Sequence, residues 1–326
     1  MLIHRHIIRP VTSPAVKLAT ILFADLRGFS QVATNYPAEV VLDLLNRFFI
    51  RMTEVIVKNG GAIDKFMGDA IMVVFSGSAP AEDARRALAC GVEMQIAMHE
   101  LNREHRRSRL PELYMGIGVN TGTVISGRIG SEHYSVNTVI GEEVNVAARI
   151  QSFCLRGQIL ISESTFALCG NVAETGKPID LLVKGSDSGV MVHEVLGLPG
   201  SGRVVPRQER RSSPRVAVRL ALTYQVLTGG IVSPQRAEAT VLDLSFYGLR
   251  AQLDRELGLH AELRLEVDLL PLLDYRARDI YGRIVNAAVE EGHYRVGIEF
   301  TSISGEASRR MQHLVQMLMS RPVSWR

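Results

Sequence analysis

The chain is poor in cysteine, in long apolar runs and in net charge, and each shortage removes a class of protein. Its three cysteines, Cys90, Cys154 and Cys169, form no CxxC pair, so neither a disulfide framework nor a zinc site is indicated and they read as reduced bystanders. No apolar run approaches the length that crosses a bilayer, and the opening MLIHRHIIRP is halted by Pro10 and Pro14 before a signal-peptide core can form. A cytoplasmic protein without a membrane span is expected. Thirty-seven basic residues stand against 34 acidic ones, a net charge of +3, so nothing global demands nucleic acid or an anionic membrane and any basic partner site must be local. Internal repeats are also missing. What is present, 46% hydrophobic and 22% charged residues over 326 positions, suits one or two folded domains and excludes a largely disordered chain.

Up to about Leu196, period-2 and period-3.6 patterns alternate, which predicts a mixed sheet covered by helices. LATILFAD reads as a strand, and Val40, Val41, Leu44, Leu45, Phe48 and Val55 recur at helical spacing until Asn59, Gly60 and Gly61 stop the helix. AIDKFM and AIMVVF read as a hairpin joined by Gly68 and Asp69. A helix is predicted from about Glu82 to Arg103, then two strands, LYMGIGVN and TVISGRI, around a Thr-Gly turn, then a helix over EEVNVAARIQSF. In GLPGSGRVVPRQERRSSPR the periodicity lapses and Gly and Pro gather, so a linker is expected. Beyond it, Val216, Val218, Leu220, Leu222, Tyr224 and Val226 alternate strictly, and ATVLDL, LRAQL, ELRLEV, YGRIV and YRVGIEF follow at short intervals before a helix from about Glu306 to Met319. That pattern predicts a small β-barrel with a terminal helix.

In the first half, Asp25 ends a buried-looking strand and Asp69 sits on the hairpin tip, so two carboxylates can project into one place. Paired carboxylates of this kind hold magnesium, and two such ions clamp a phosphoryl reaction. Asn145 and Arg149, four residues apart in EEVNVAAR, share one helix face, where an Arg fork beside a neutral amide suits the spreading charge of a phosphoryl transition state. Lys65 is one of five lysines in a chain that otherwise uses arginine. An ammonium donates and cannot accept, so it would select adenine N1 over the protonated N1 of guanine; by spacing alone, an exposed strand lysine would look the same.

FADLRGFS, GGAIDKFMGDAIMVVF, GIGVNTGTVISGRIGS and NTVIGEEVNVAARIQS, in that order, resemble a class III nucleotidyl cyclase domain. The resemblance implies an α+β ferredoxin-like core over residues 17–197, preceded by a tail at 1–16, working as a head-to-tail homodimer with its sites at the interface. It implies Asp25 and Asp69 as ligands of two Mg2+ or Mn2+ ions per site, Lys65 and Thr138 as adenine selectors, Asn145 and Arg149 as transition-state stabilisers, and Lys184 as a contact to the nucleotide phosphates. Thr138 in place of aspartate is similar to a bacterial subset of the family. One departure stands out: EHYSVNTVIG lacks the arginine and the Asp-Tyr pair common just before the threonine.

In the second half, six arginines, at 203, 207, 210, 211, 215 and 219, face the single acid Glu209. Such a cluster wants a phosphate-rich or carboxylate-rich partner. Arg211 and Arg215 form an RxxxR motif, and Asp243, Ser245 and Gly248 a DxSxxG motif 32 residues on from Arg211. With the barrel pattern, they resemble a PilZ domain, expected over 207–326 after a linker at 198–206. The resemblance implies cyclic di-GMP binding, with Arg207, Arg210, Arg211 and Arg215 stacking on the ligand or meeting its phosphates, Asp243 and Ser245 contacting its base and backbone, and Gly248 completing the motif.

Together the two resemblances imply an adenylyl cyclase that turns ATP into cyclic AMP and pyrophosphate and is adjusted by cyclic di-GMP. A rival reading is a catalytically silent scaffold, in which the cyclase fold only dimerises and a partner reads cyclic di-GMP occupancy. A nucleic-acid arm is disfavoured, because no aromatic residues are interleaved among the arginines.

Overall fold

The computed structural model describes residues 14–77, 79–131, 133–181, 189–206, 213–290 and 292–319. The chain divides into two compact units, Met1–Arg210 and Arg211–Arg326. The first begins with β1 (Ala15–Leu26), α1 (Phe29–Asn35), α2 (Ala38–Lys58), β2 (Ala62–Met67), β3 (Ala70–Phe75), α3 (Pro80–Arg107) and β4 (Met115–Gly130). Strands β4, β1, β3 and β2 lie side by side in that order, each antiparallel to its neighbour. With α2 and α3 as the two crossovers, this is the ferredoxin-like β-α-β-β-α-β arrangement. The unit continues with β5 (Ser135–Ile140), α4 (Glu142–Phe153), β6 (Ile159–Ser162), α5 (Glu163–Cys169), β7 (Glu174–Thr175), β8 (Ile179–Leu181), β9 (Val190–Leu198) and β10 (Arg203–Val204). These strands extend the sheet beyond β4.

Alternation along β1 divides the interior in two. Leu22, Ala24 and Leu26 enter the larger core with Leu44, Phe48, Met52 and Ile56 of α2, while Ala19, Ile21 and Phe23 enter a smaller core on the α4 side with Met72, Val124 and Ala147. The four α2 residues recur every fourth position and are fully buried, each contributing about 1.5–3 kcal/mol of burial. The three cysteines are buried and free. Burial pushes the thiols of Cys90 and Cys154 up to about 12 and that of Cys169 up to about 11, so none carries a useful thiolate at neutral pH.

The Thr-Gly turn predicted inside the fourth strand does not exist. β4 runs unbroken through Thr121 and Gly122 because β1 pairs with it along its whole length, from Ala15 opposite Ser126 to Leu26 opposite Met115. The Thr20 and Thr121 hydroxyls bond across the pair at 2.8 Å. Gly122 serves a close approach instead of a turn: a Cβ there would lie 2.4 Å from the Glu143 side chain of α4. Sequence alternation broken by Asn120, Thr121 and Gly122 therefore marks where α4 and its polar partners land on the strand.

Order also reaches into the stretch assigned to the linker. Arg203 pairs with Leu198 and Val204 with Gly197, and Arg203 binds Glu93 of α3 at 2.6 Å, so one of the six clustered arginines is already neutralised within the first unit.

The second unit contains β11 (Arg215–Thr228), β12 (Ile231–Val232), β13 (Ala237–Ser245), β14 (Gly248–Leu253), β15 (Glu262–Asp268), β16 (Arg276–Glu290), β17 (His293–Ser302) and α6 (Gly305–Met319). β11, β13, β14, β17, β16 and β15 are hydrogen-bonded in series, and β15 returns to β11, which closes a six-stranded barrel. Leu220, Leu222 and Tyr224 point inward from β11, and α6 buries Ala307, Met311, Leu314 and Val315. Among the described residues no helix is long and apolar enough to cross a membrane.

The seating of α4 on β4 yields a stability test. A Cβ at Gly118 would stand 2.3 Å from the backbone nitrogen of Gln151, so Gly118→Ala must move the helix. Overpacking of this kind costs about 1–3 kcal/mol, and we expect a lowered midpoint of thermal unfolding; an unchanged midpoint would mean that α4 yields freely.

Candidate active site and ligand site

Asp25 continues the Ala19, Ile21, Phe23 row to the end of β1, where the apolar surface runs out. Its partner across the sheet is Ala70, and Asp69 precedes Ala70 in the turn between β2 and β3. Gly68 opens that turn with φ 62°, a value glycine accepts without a Cβ penalty. The two carboxylates are thus brought together as the sequence predicts. Burial holds both above the usual aspartate range; Asp25 raises Asp69 further, while Arg27 pulls both down and Gln151 pulls down Asp25. Arg27 is a residue that sequence reasoning missed, although it stands only two positions after Asp25. It lies beside both acids and donates to the Gln151 carbonyl of α4, and its Nε is buried without a hydrogen-bond partner.

Lys65 and Thr138 also meet. The Lys65 Nζ donates to Thr138 Oγ1 at 3.0 Å, and Thr138 is buried at 6% exposure. A third group joins them: Asp64 accepts from Thr138 Oγ1 at 2.8 Å and pairs with Lys65 at 3.1 Å. Asn145 and Arg149 share a face of α4 as expected, Asn145 exposed and Arg149 half-buried. Among the described residues no hydrogen bond or ion pair joins Asn145 or Arg149 to the Asp25 and Asp69 pair. Lys184 lies outside the described residues.

In the second unit, Arg207, Arg210 and Arg211 fall outside the described residues, and the DxSxxG residues have distinct tasks. Asp243 faces Arg250 across the β13–β14 pair and binds it at 2.8 Å, with Arg215 at 3.7 Å. Ser245 is buried and donates to the Gly248 carbonyl at 2.8 Å, which holds the turn; the structure therefore commits its proton to the fold. Ser213 reaches the same turn by accepting from the Phe246 N–H at 3.3 Å. At Gly248 a Cβ would come within 2.4 Å of the Ile298 carbonyl oxygen, so only glycine lets β17 close on the turn. Arg250 was missed in the sequence. Counting outward from Phe246 and Tyr247 would have found it, because a two-residue turn sets Asp243 opposite position 250.

Residues 11–193, more than half the chain, match the adenylate and guanylate cyclase catalytic domain. The chain belongs to that family. Residues 209–319 match the PilZ domain, so a cyclase domain and a PilZ domain are fused in one polypeptide. An adenylate cyclase of Anabaena cylindrica is 33% identical over 194 residues, 57% of this chain and 38% of that protein. Among solved structures, the guanylyl cyclase Cya2 is 39% identical with a TM-score of 0.56, covering 59% of this chain and 98% of its own. The adenylyl cyclase CyaB from P. aeruginosa is 32% identical with a TM-score of 0.54, covering 62% and 98%. The chain spans well under half the length of the curated relative, and the two solved neighbours are named for different nucleotides.

The cyclase domain's two acids fit a divalent metal. Hard cations such as Mg2+ take carboxylate oxygen, commonly from one or two side chains, with substrate phosphates and water completing the shell. Among the described residues no cluster of three or more His, Cys, Asp or Glu could hold a metal. Neighbouring like charges that raise one another's proton affinity are relieved by a cation between them. Asp69→Asn removes one of the two charges, so the metal-free variant should melt no lower than wild type. Added Mn2+ should raise the melting temperature of the wild type by mass action and have little effect on the variant; equal metal-induced shifts would sink the assignment.

Proposed function

We propose that the chain is an adenylyl cyclase that converts ATP to cyclic AMP and pyrophosphate at a homodimer interface and responds to cyclic di-GMP through its PilZ domain. The observation that carries the choice of ATP is the Lys65–Thr138 pair, whose atoms lie 3.0 Å apart. A donor beside a hydroxyl suits the ring nitrogen and amino group of adenine.

The reaction joins the ATP 3′-oxygen to the α-phosphorus as the bond to the β-phosphate oxygen breaks, and the hydroxyl proton leaves to water. Asp25 and Asp69 are assigned to two Mg2+ or Mn2+ ions, which when bound lower the proton affinity of the attacking oxygen and offset phosphate charge. Arg149, with Asn145 beside it on α4, is assigned to the charge that spreads over the phosphoryl oxygens. Lys184 is assigned to the nucleotide phosphates. Support for the homodimer comes from an exposed apolar patch where β1, β4 and β5 run together: Val16 stands opposite Ile125 and Ile129 opposite Val136, all exposed, with Tyr134 beside them.

For the PilZ domain, Arg215 and Asp243 are assigned to cyclic di-GMP together with Arg207, Arg210 and Arg211. Arg250 holds the Asp243 carboxylate in place, while Ser245 and Gly248 shape the turn. Because Arg207, Arg210 and Arg211 lie on the covalent path between the domains, a ligand held there acts on that path and biases the cyclase.

Purified protein given ATP or GTP with Mg2+ or Mn2+ is expected to form cyclic AMP in strong preference to cyclic GMP, since sites built on hydrogen bonds to a base discriminate steeply. Lys65→Glu should lose ATP turnover first. Equal use of the two nucleotides by wild type would refute the assignment.

Arg215→Ala should weaken cyclic di-GMP binding, measured by calorimetry, by about tenfold or more, the worth of one charged hydrogen bond, and should erase any effect of the ligand on cyclic AMP synthesis. Undiminished affinity in that variant would remove Arg215 from the site.

A further inference from the structure

We propose that Asp64 is a positioning residue that fixes the hydroxyl proton of Thr138, so that the base-reading edge of the cyclase offers one donor and one acceptor, a pattern complementary to adenine and opposed to guanine. The inference rests on the adenylyl reading above and deepens it.

Neighbouring residues in a regular strand point to opposite faces, yet Asp64 and Lys65 both reach Thr138 Oγ1, at 2.8 Å and 3.0 Å. The register explains how. Ile63 stands opposite Val73 and Lys65 opposite Met72, so two steps along β2 match one along β3. Asp64 is the extra residue of a β-bulge, a device that re-aims side chains. Its side chain is 6% exposed, while that of Lys65 is 40% exposed. The carboxylate therefore works from beneath, and the ammonium keeps an open side.

Counting protons gives the edge its polarity. A threonine hydroxyl has one proton and two lone pairs, and an ammonium has three protons and no lone pair. Two acceptors are within reach of the Thr138 proton, the Asp64 carboxylate at 2.8 Å and the Val139 carbonyl at 3.5 Å; the nearer is also the charged one and takes it. One Thr138 lone pair then receives Lys65, and one is left. Lys65 directs one proton to Thr138 and one to Asp64, and one is left. What remains is an N–H beside a lone pair. Adenine presents a lone pair at N1 beside amino protons at N6, whereas guanine presents a proton at N1 beside the O6 acceptor. Adenine satisfies both remaining positions; guanine meets donor with donor and acceptor with acceptor. Without Asp64 the hydroxyl turns and can donate to O6. The residue that excludes guanine is then one that need not touch the base.

The test uses the full chain with ATP and GTP, reading kcat/KM for each in wild type, Asp64→Ala, Thr138→Val, Thr138→Ser and the Asp64→Ala/Thr138→Val pair; alanine is chosen because asparagine would still accept the Thr138 proton. We expect Asp64→Ala to lower the ATP:GTP ratio by about tenfold or more, partly through better use of GTP. Thr138→Ser should retain the ratio, and adding Asp64→Ala to Thr138→Val should lower it no further. Should Asp64→Ala fail to fold, Asp64→Leu, closer in size and also without an acceptor, takes its place. A ratio unchanged by loss of the carboxylate, in an enzyme that prefers ATP, overturns the role of Asp64 alone. So do losses that multiply in the double variant, since they would mean that the carboxylate acts independently of the hydroxyl. A wild type with no preference for ATP overturns the adenylyl reading and this inference with it.

Discussion

The cyclase domain hangs on the central strand β1, paired along its full length with β4 and over its second half with β3. Two hydrogen-bonded neighbours fix its register, and the pleat then decides which side chains meet α2 and α3 and which meet α4. A slip of one residue would turn Asp25 away from the α4 side and Leu22 out of the larger core. The same ladder carries Gly118 and Gly122 to the places where α4 lies against the sheet, so the helix bearing Asn145 and Arg149 is positioned by the strand that ends in Asp25.

Much of this was legible beforehand where a single local pattern governs. The β2–β3 hairpin came out residue for residue, because a glycine-first pair between two apolar runs has few alternatives. The helix over EEVNVAARIQSF and the alternation of β11 were equally plain. Misreading arose where one residue serves a neighbour distant in sequence. Gly122 looks like a turn, but its missing side chain makes room for Glu143, and Asn120 donates to the Glu143 carboxylate at 2.6 Å. Asp64 was hidden by the strand rule itself, since a bulge is what places it on the same side as Lys65. β10 escaped notice because a two-residue strand closing on a glycine has no periodicity to read.

Both domains use arginine and aspartate beside one another, but differently. Near Asp25 and Asp69, Arg27 is, among the described residues, the one cation that acts on both acids, and the balance of charge leaves room for a further positive group. At the PilZ turn the balance is reversed, with Asp243 alone between Arg215 and Arg250. The first arrangement favours cations and the second favours anions, in keeping with the proposed metal site in one domain and the proposed phosphate-linked ligand in the other.

The chain leaves the cyclase domain through β10, a strand of two residues antiparallel to β9 and joined to α3 by the Arg203–Glu93 bridge. Tension on the path beyond Pro206 would load this ladder from its open end, so its bonds fail one after another, as in a zipper, instead of sharing the load as in shear. The Val205 N–H bond to the Leu196 carbonyl, at 2.9 Å, is the first in line. Behind it stand the Arg203–Glu93 bridge and the packing of Val205 against the larger core, so a pull on the chain would meet its resistance at one anchored corner of the sheet before it reached β9.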